Sequence, residues 1–308
     1  MRLTLIQKGG AAELPLAALR LTTSLNGAGI LEWETPYRGL MPEEGDAVRL
    51  EEDAGIFYGY VFRVEDDGRR LRVLCYDQIK YLLYKDTRQF TNRTADSILT
   101  EFVRERELKA GTIAATGVTL PSLLYENQTL LSMVQDALEE TFRVSGQRFW
   151  LTDQCGSLTL EKAENLQSGV LLSGENQLTG WTRSSDIDGA TYTRFLLLQE
   201  DRRSGFRRVT TAENAEQRKN WGILQYFERV DHSWNEAQVQ ARLAALKESY
   251  SDKRRSFTAE GLGDFRCLAG RGALCQIGDE AAESCLIEES EIEGEGGVYR
   301  MRLKLRVL

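Results

Sequence analysis

The strongest alternation of apolar and polar positions in this chain lies between residues 56 and 76. The first part, 56–64, is rich in aromatic and β-branched side chains, which suit a pleated surface. An Asp-Asp-Gly turn signal follows, because glycine adopts positive φ without steric cost. The second part, 69–76, sets apolar side chains on one face and Arg70 and Arg72 on the other. The pattern predicts a β-hairpin.

The spacing of apolar residues becomes helical directly after this hairpin and again at three later points. Residues 79–83 have helical spacing. Thr94 is a suitable N-cap for a helix, and a second helix is predicted to begin near Asn127. Ser233 and Glu236 fit the S-x-x-E capping box, so they predict the start of a long third helix.

Most of the remaining chain consists of short strand-like runs separated by turn signals. We therefore predict an α+β protein that is mainly β. Residues 1–88 are expected to form a first β domain, 89–170 a small α+β insert, and 171–308 a second β domain with one long helix. A chain of 308 residues is long enough to bury several cores of this size.

The pattern of the hairpin and the strand before it recurs near the C-terminus, and we call this second copy the echo. Residues 45–76 run as short strand, connector, longer strand, acidic glycine-containing turn and basic alternating strand, and residues 272–307 repeat this order. Identity between the two stretches is low, and β-hairpins share such features in general. A true duplication and two unrelated hairpins both remain open. If the duplication is real, three copies of a chain with two equivalent modules can build a pseudo-sixfold ring.

Composition narrows the function without identifying it. The formal net charge is -8 and the pI about 5.1, which disfavours non-specific duplex binding, because such binding needs a basic face. The five cysteines show no CxxC pair or metal-ligand spacing, which suggests assembly in a reducing cytosol. The N-terminus lacks the apolar core of a signal peptide, and no apolar run is long enough to predict a membrane anchor.

Candidate catalytic chemistry is sparse. His232 is the single histidine, so no Ser-His-Asp or Cys-His arrangement is supported, and a surface position at a helix start is the better interpretation. The glycines at 261–263 and 270–272 do not continue as phosphate-binding loops. The acidic run 288–295 could bind a cation or line an acidic channel, but a solvated strand and hairpin tip is the simpler interpretation. We expect no enzyme activity, no cofactor and no bound metal.

A resemblance to a known family is carried by FYGYVFRVEDDGRRLRVLCYDQIKYLLYKDTRQFTNRTADSIL at 57–99. This stretch resembles the XkdQ/YqbQ-type tail proteins of PBSX-like Bacillus prophages, which are baseplate hub proteins of contractile tails. NQTLLSMVQDALEETF at 127–142 and WGILQYFERVDHSWNEAQ at 221–238 are also similar to the family. The resemblance runs from about residue 40 to the C-terminus, and the first forty residues carry little of it.

The resemblance implies two tail-tube-like β-barrel domains flanking the insert. It implies a homotrimer, formed on assembly, whose six barrel domains make a pseudo-sixfold ring between the tail tube protein and the central spike protein. Other baseplate proteins would surround the ring, and the tape-measure protein and DNA would pass through it without specific binding. The expected location is the tail baseplate of a virion or phage-tail-like particle that is assembled in the bacterial host cytoplasm.

The two hairpins are the expected contributors to the ring, so the candidate interface residues are taken from their arms. They are Tyr58, Tyr60, Arg70, Arg72, Arg302 and Lys304. The first alternative is a peptidoglycan or glycan hydrolase of the tail tip. The second is a carbohydrate-binding β domain that uses Trp181 or Trp221 as a stacking platform.

Overall fold

The computed structural model describes residues 1–25, 27–36, 40–165, 168–201, 203–278 and 280–308. Its strands are β1 (Arg2–Gln7), β2 (Gly10–Leu14), β3 (Ala18–Ser24), β4 (Ile30–Pro36), β5 (Ala47–Glu51), β6 (Gly55–Asp66), β7 (Arg70–Tyr76), β8 (Lys85–Arg93), β9 (Ala110–Ile113), β10 (Leu120–Thr129), β11 (Phe149–Asp153), β12 (Leu158–Lys162), β13 (Ser168–Ser173), β14 (Leu178–Asp186), β15 (Arg194–Asp201), β16 (Phe206–Glu213), β17 (Gln225–Val230), β18 (Arg254–Leu262), β19 (Gly272–Gln276), β20 (Glu283–Glu295) and β21 (Val298–Val307). Its α-helices are α1 (Ala95–Glu105), α2 (Leu130–Ser145), α3 (Ala215–Trp221) and α4 (Glu236–Tyr250), and short 3₁₀ helices cover Gln78–Leu82 and Ala163–Asn165. The prediction of a mainly β protein is confirmed.

The chain divides into two compact units. The first comprises residues 1–138, 148–183 and 256–308, and the second comprises 139–147 and 184–255. The three-part division made from the sequence is not tested by this grouping and stays a prediction.

The first unit is built on one large sheet. Its strands follow the order β14-β18-β21-β20-β3-β4-β7-β6-β5-β1-β2, and β19 pairs with both β20 and β13. The predicted hairpin is confirmed as β6 and β7, and it lies beside strands from both ends of the chain. Among the described residues this hydrogen-bonded path runs open from β14 to β2, so strand pairing closes no barrel.

One face of this sheet forms the core, because buried apolar residues stand directly opposite one another on successive strands. Such a row crosses five strands through Met301, Ile292, Leu21, Leu31 and Cys75. All five side chains are buried. Their burial contributes about 25 cal/mol per Å² of apolar surface removed from water.

The predicted echo has a counterpart in the order of strand pairing. One set of strands runs β3-β4-β7-β6-β5-β1, and a second runs β14-β18-β21-β20-β19-β13. The sets differ in their last pair, since β1 lies antiparallel to β5 whereas β13 lies parallel to β19. The long strand of each hairpin also carries a register shift at the equivalent place, after Val61 in β6 and after Ile287 in β20.

A second core in the same unit is formed around α1 and α2. Thr94 caps α1 as predicted, accepting the backbone N–H of Ser97. The second helix begins at Leu130 rather than near Asn127, because Asn127 lies in β10 and has a φ of 52°. Phe102 is fully buried in this core, together with residues of β11 and β12.

The second unit contains a three-stranded sheet, ordered β16-β15-β17, with α4 packed against it. Capping of α4 differs from the prediction by two residues. Asn235 is the N-cap, since its side chain accepts the N–H of Gln238, and the Gln238 side chain accepts the N–H of Asn235 in return. Ser233 lies in the preceding turn, and Glu236 is the first helical residue.

Candidate functional site

All six predicted interface residues lie on the face of the large sheet that points away from its core. On β21, Arg302 and Lys304 alternate with buried Met301, Leu303 and Leu305. On β7, Arg70 and Arg72 alternate with buried apolar residues in the same way. On β6, Tyr58 and Tyr60 are half-buried beside fully buried neighbours. The structure therefore brings the two hairpins onto one surface, which we call the charged face.

Arg70 and Arg72 share one carboxylate that the sequence analysis did not single out. Glu34, on β4, accepts from Arg70 Nη1 at 3.1 Å and from Arg72 Nε at 3.0 Å. Hydrogen bonds lower the pKa of Glu34, with the larger effect from Arg72 and the smaller from Arg70. All three side chains face solvent, so each pair contributes only about 0–1 kcal/mol to stability.

The acidic run is paired with cations across the centre of the charged face. Arg20, on β3, lies 2.7 Å from Glu293 and 3.3 Å from Glu291. Lys304 Nζ lies 2.7 Å from Glu289. These alternating cross-strand charges support the interpretation of the run as a solvated strand rather than a cation site.

A groove of about 850 Å³ runs over this face. Its walls include Arg20, Glu34, Arg72, Glu293 and Arg300. Because opposite charges alternate along the walls, the groove has no single sign of charge to attract an ionic substrate.

The aromatic end of the same sheet forms a ladder of half-buried rings. Tyr60 packs edge-on against Tyr58 and Tyr81, with ring centroids 5.9 Å apart in each case. Phe62 packs against Tyr76 at 5.1 Å, and Lys80 lies 4.5 Å from the centroid of the Tyr76 ring. Burial raises the pKa of Tyr60. Such edge-on aromatic pairs add about 0.5–1.5 kcal/mol each beyond area burial.

A second cavity, of about 860 Å³, is lined by two carboxyl groups, those of buried Asp77 and half-buried Asp153. Asp77 accepts the N–H of Gly29 at 2.7 Å and that of Ile79 at 2.9 Å, so it fixes the entry of the 3₁₀ helix. Asp153 accepts the N–H groups of Gly156 and Gln78. Because both carboxyl groups are engaged with backbone, they hold loops in place and are poorly arranged for acid–base catalysis.

Burial raises the pKa of both carboxyl groups, and the charge of Asp153 raises that of Asp77 further. A carboxyl whose pKa is higher in the folded state stabilises the protein fully below the unfolded-state pKa. That contribution is lost as pH rises through the folded-state pKa. We therefore expect that the stability of Asp153→Asn falls less steeply than that of the wild type between acidic and neutral pH. Urea unfolding at a series of pH values measures this.

Asp67→Asn is the matched control for that experiment. Asp67 is exposed, and hydrogen bonds from the backbone of Arg70 and Arg69 lower its pKa. A lowered pKa contributes stability that is lost only as pH falls through it, so this variant should leave the acidic-to-neutral slope unchanged. An unchanged slope in Asp153→Asn as well would contradict the raised pKa values of these two carboxyl groups.

The other candidate residues are scattered. His232 is exposed, with Nδ1 3.6 Å from Asp231 Oδ1. Trp181 lies half exposed on β14, whereas Trp221 ends α3. Burial raises the pKa of the Cys75 thiol to about 12, which makes it unreactive at neutral pH. In the described part of the chain no cluster of three metal-binding side chains occurs, and no helix is both long enough and apolar enough to span a bilayer.

The sequence did not lead us to predict the residues at the centre of the charged face. Arg20, Glu32 and Glu34 belong to β3 and β4, within the first forty residues that carried little family resemblance. The alternation of LRLTT at 19–23 and ILEWE at 30–34 was the available signal. It indicates two strands with one polar face each, but it does not show where they insert.

Comparison with known proteins identifies the family. The YQBQ-like family model matches residues 19–306. The Bacillus subtilis proteins YqbQ, which is uncharacterised, and XkdQ, of the phage-like element PBSX, are 29% and 30% identical to this chain. Each alignment covers 72% of this chain, and 69% of YqbQ or 70% of XkdQ.

A solved structure shows the same fold. The 43 kDa tail protein of prophage MuSo2 from Shewanella oneidensis superposes with a TM-score of 0.66 at 14% identity, over 99% of this chain and 98% of that one. The family match begins in β3, so it takes in the strands at the centre of the charged face as well as both hairpins. On this evidence the chain belongs to the YQBQ-like family.

Proposed function

We propose that this chain is a structural hub protein of a contractile tail baseplate. In this role three copies form a pseudo-sixfold ring that joins the tail tube to the central spike. The observation that carries the proposal is the repeated order of strand pairing in β3-β4-β7-β6-β5 and β14-β18-β21-β20-β19. Two equivalent halves in one chain allow a trimer to meet a sixfold tube on one side and a threefold spike on the other.

The relatives support this assignment at the level of the particle. XkdQ belongs to a phage-like element, and the Shewanella protein is a prophage tail protein. Under the proposal, the partners of this chain are its own copies, the tube and spike proteins and other baseplate proteins. Its location is the tail baseplate of a phage or phage-tail-like particle.

The charged face suits the wall of a channel that DNA passes without sticking. Its cations are neutralised by glutamates on neighbouring strands, as Arg20 is by Glu293 and Lys304 by Glu289. A DNA backbone binds where basic side chains can replace its counterions. Cations that are already paired with glutamates release fewer counterions when DNA approaches. We therefore expect DNA and the tape-measure protein to pass along this face without binding.

Neutralising the acidic run tests this idea. We expect the triple variant Glu289→Gln, Glu291→Gln and Glu293→Gln to gain salt-sensitive DNA binding, because it leaves Arg20 and Lys304 unpaired. Fluorescence anisotropy with a labelled duplex at low and moderate salt measures the gain.

The control keeps the same change of net charge on exposed loop positions, as Glu43→Gln, Glu44→Gln and Asp53→Asn. Equal DNA binding by both triple variants would assign the effect to net charge and overturn the role of the charged face.

Oligomeric state tests the hub assignment. Light scattering coupled to size-exclusion chromatography, together with negative-stain images, should show a threefold ring as concentration is raised. A protein that stays monomeric and binds neither tube nor spike protein contradicts the hub. Zymography on cell walls addresses the hydrolase alternative, and lysis that is lost on mutating a carboxylate pair would favour that alternative.

A further inference from the structure

The two halves of the large sheet match in individual hydrogen bonds as well as in strand order. The N–H of Val61 donates to the carbonyl of Asp46 at 2.9 Å, and that of Gly45 donates to the carbonyl of Val61 at 2.8 Å. In the other half, Ile287 donates to the carbonyl of Arg271 at 2.9 Å, and Gly270 donates to that of Ile287 at 2.9 Å.

This match aligns the two halves residue by residue. Gly45 and Gly270 both have positive φ, of 92° and 85°. Gly270 lies two residues earlier than the start of the echo that the sequence comparison chose. Val61 and Ile287 are equivalent, so residues 63–66 of β6 correspond to 289–292 of β20.

The edge of β20 beyond its register shift is occupied by β3. Seven residue pairs form this junction, from Glu289 opposite Ser24 to Glu295 opposite Ala18. The junction also carries the Arg20 ion pairs to Glu291 and Glu293. It is the place where one half of the sheet joins the other.

The equivalent edge of β6 is free within the described part of the chain. Residues 63–66 pair with β7 on one side, and no described strand pairs with them on the other. The strand equivalent to β3 is β14, because each begins its set of strands, β3 beside β4 and β14 beside β18. One edge of β14 pairs with β18, and no described strand covers its other edge.

We infer that β14 of one copy pairs with residues 63–66 of β6 in the next copy, as β3 pairs with β20 inside the chain. The inference deepens the proposed trimer and rests on it. Each copy carries one free edge of each kind, so the contact is head-to-tail, and such contacts repeat until a ring closes. Backbone hydrogen bonds between two exposed strand edges supply the affinity.

The two edges carry charges of opposite sign. Glu65 is the counterpart of Glu291 and is exposed on β6. Arg183 is the single cation of β14, and it too is exposed. Inside each chain these residues bond to Arg63 and Glu280, at 3.3 and 2.6 Å, so pairing across copies would exchange one partner for another.

Cross-linking of two single variants tests the pairing. Glu65→Cys and Arg183→Cys are mixed in equal amounts and treated with a short bis-maleimide, whose reach tolerates a small difference in register. The expected result is covalent dimers in the mixture and none in either variant alone. The variant with both cysteines in one chain should give covalent trimers. Wild-type protein controls for reaction at the half-buried Cys155.

Glu13→Cys mixed with Arg183→Cys is the matched control, because Glu13 is exposed on β2, at the other end of the sheet. Light scattering on the same samples shows whether a trimer is present, so it distinguishes failure of the β14–β6 pairing from failure of the trimer itself. A trimer that cross-links through Glu13→Cys, or equally through both positions, overturns the β14–β6 pairing and leaves the trimer standing. A protein that is monomeric at every concentration, and stays so when tube and spike protein are added, overturns the trimer and the pairing together.

Discussion

Replacing Trp33 by alanine is expected to lower the free energy of unfolding by about 3–5 kcal/mol. Trp33 lies on β4 with 1% of its surface exposed, directly opposite Leu19 on one side and Val73 on the other. The variant loses the transfer free energy of the indole and leaves a cavity that the surrounding strands fill only in part. Urea unfolding followed by circular dichroism measures the loss.

The matched control is Trp181→Ala. Trp181 is 50% exposed on β14, so its removal should cost less than about 1 kcal/mol. Equal losses for both variants would mean that β4 does not lie at the centre of the sheet. The experiment thus also tests the part of the charged face that β4 carries.

Alternation along the sequence was sufficient to predict single strands and their faces. The hairpin of β6 and β7 and the buried stripe of α1 follow from local pattern, because side-chain direction in a strand or helix is set by its period. The opposite faces of Arg72 and Val73 could be predicted for this reason. Local pattern also fits more than one cap, as the competition between Ser233 and Asn235 shows.

The pairing of distant strands could not be predicted in the same way. Arg20 and Glu293 are 273 residues apart in sequence, yet they lie side by side because β3 inserts next to β20. Nothing in the alternation of either strand specifies that neighbour, since a pleated edge accepts many partners. The carboxyl pair of Asp77 and Asp153 was invisible for the same reason.

The candidate site therefore divides into a predictable and an unpredictable part. The sequence supplied residues such as Arg72 and Lys304, each on the polar side of its own hairpin. Their union into one face depends on β3 and β4, which bridge the two hairpins. Glu34 became part of the site only through that bridge.

Gly59→Val is expected to cost about 3 kcal/mol, because its new side chain would overpack the sheet. Gly59 lies in the middle of β6, within the stretch that gave the strongest strand signal. A Cβ there would overlap the carbonyl oxygen of Tyr76 and lie 2.6 Å from Cζ of Phe57. The Tyr76 oxygen is a backbone atom of β7, so relief requires the two strands to move apart. Thermal unfolding of the variant measures the effect.

Gly169→Val separates steric overlap from the general effect of placing valine in a strand. Gly169 lies in β13, and a Cβ there would meet no atom within 4 Å. Valine also favours the extended backbone, so this control should be neutral or slightly stabilising. If Gly59→Val fails to fold, Gly59→Ala supplies a smaller Cβ at the same place and should still unfold at a lower temperature than the wild type. A Gly59→Ala protein as stable as Gly169→Val would show that β6 and β7 are not held as closely as their register requires.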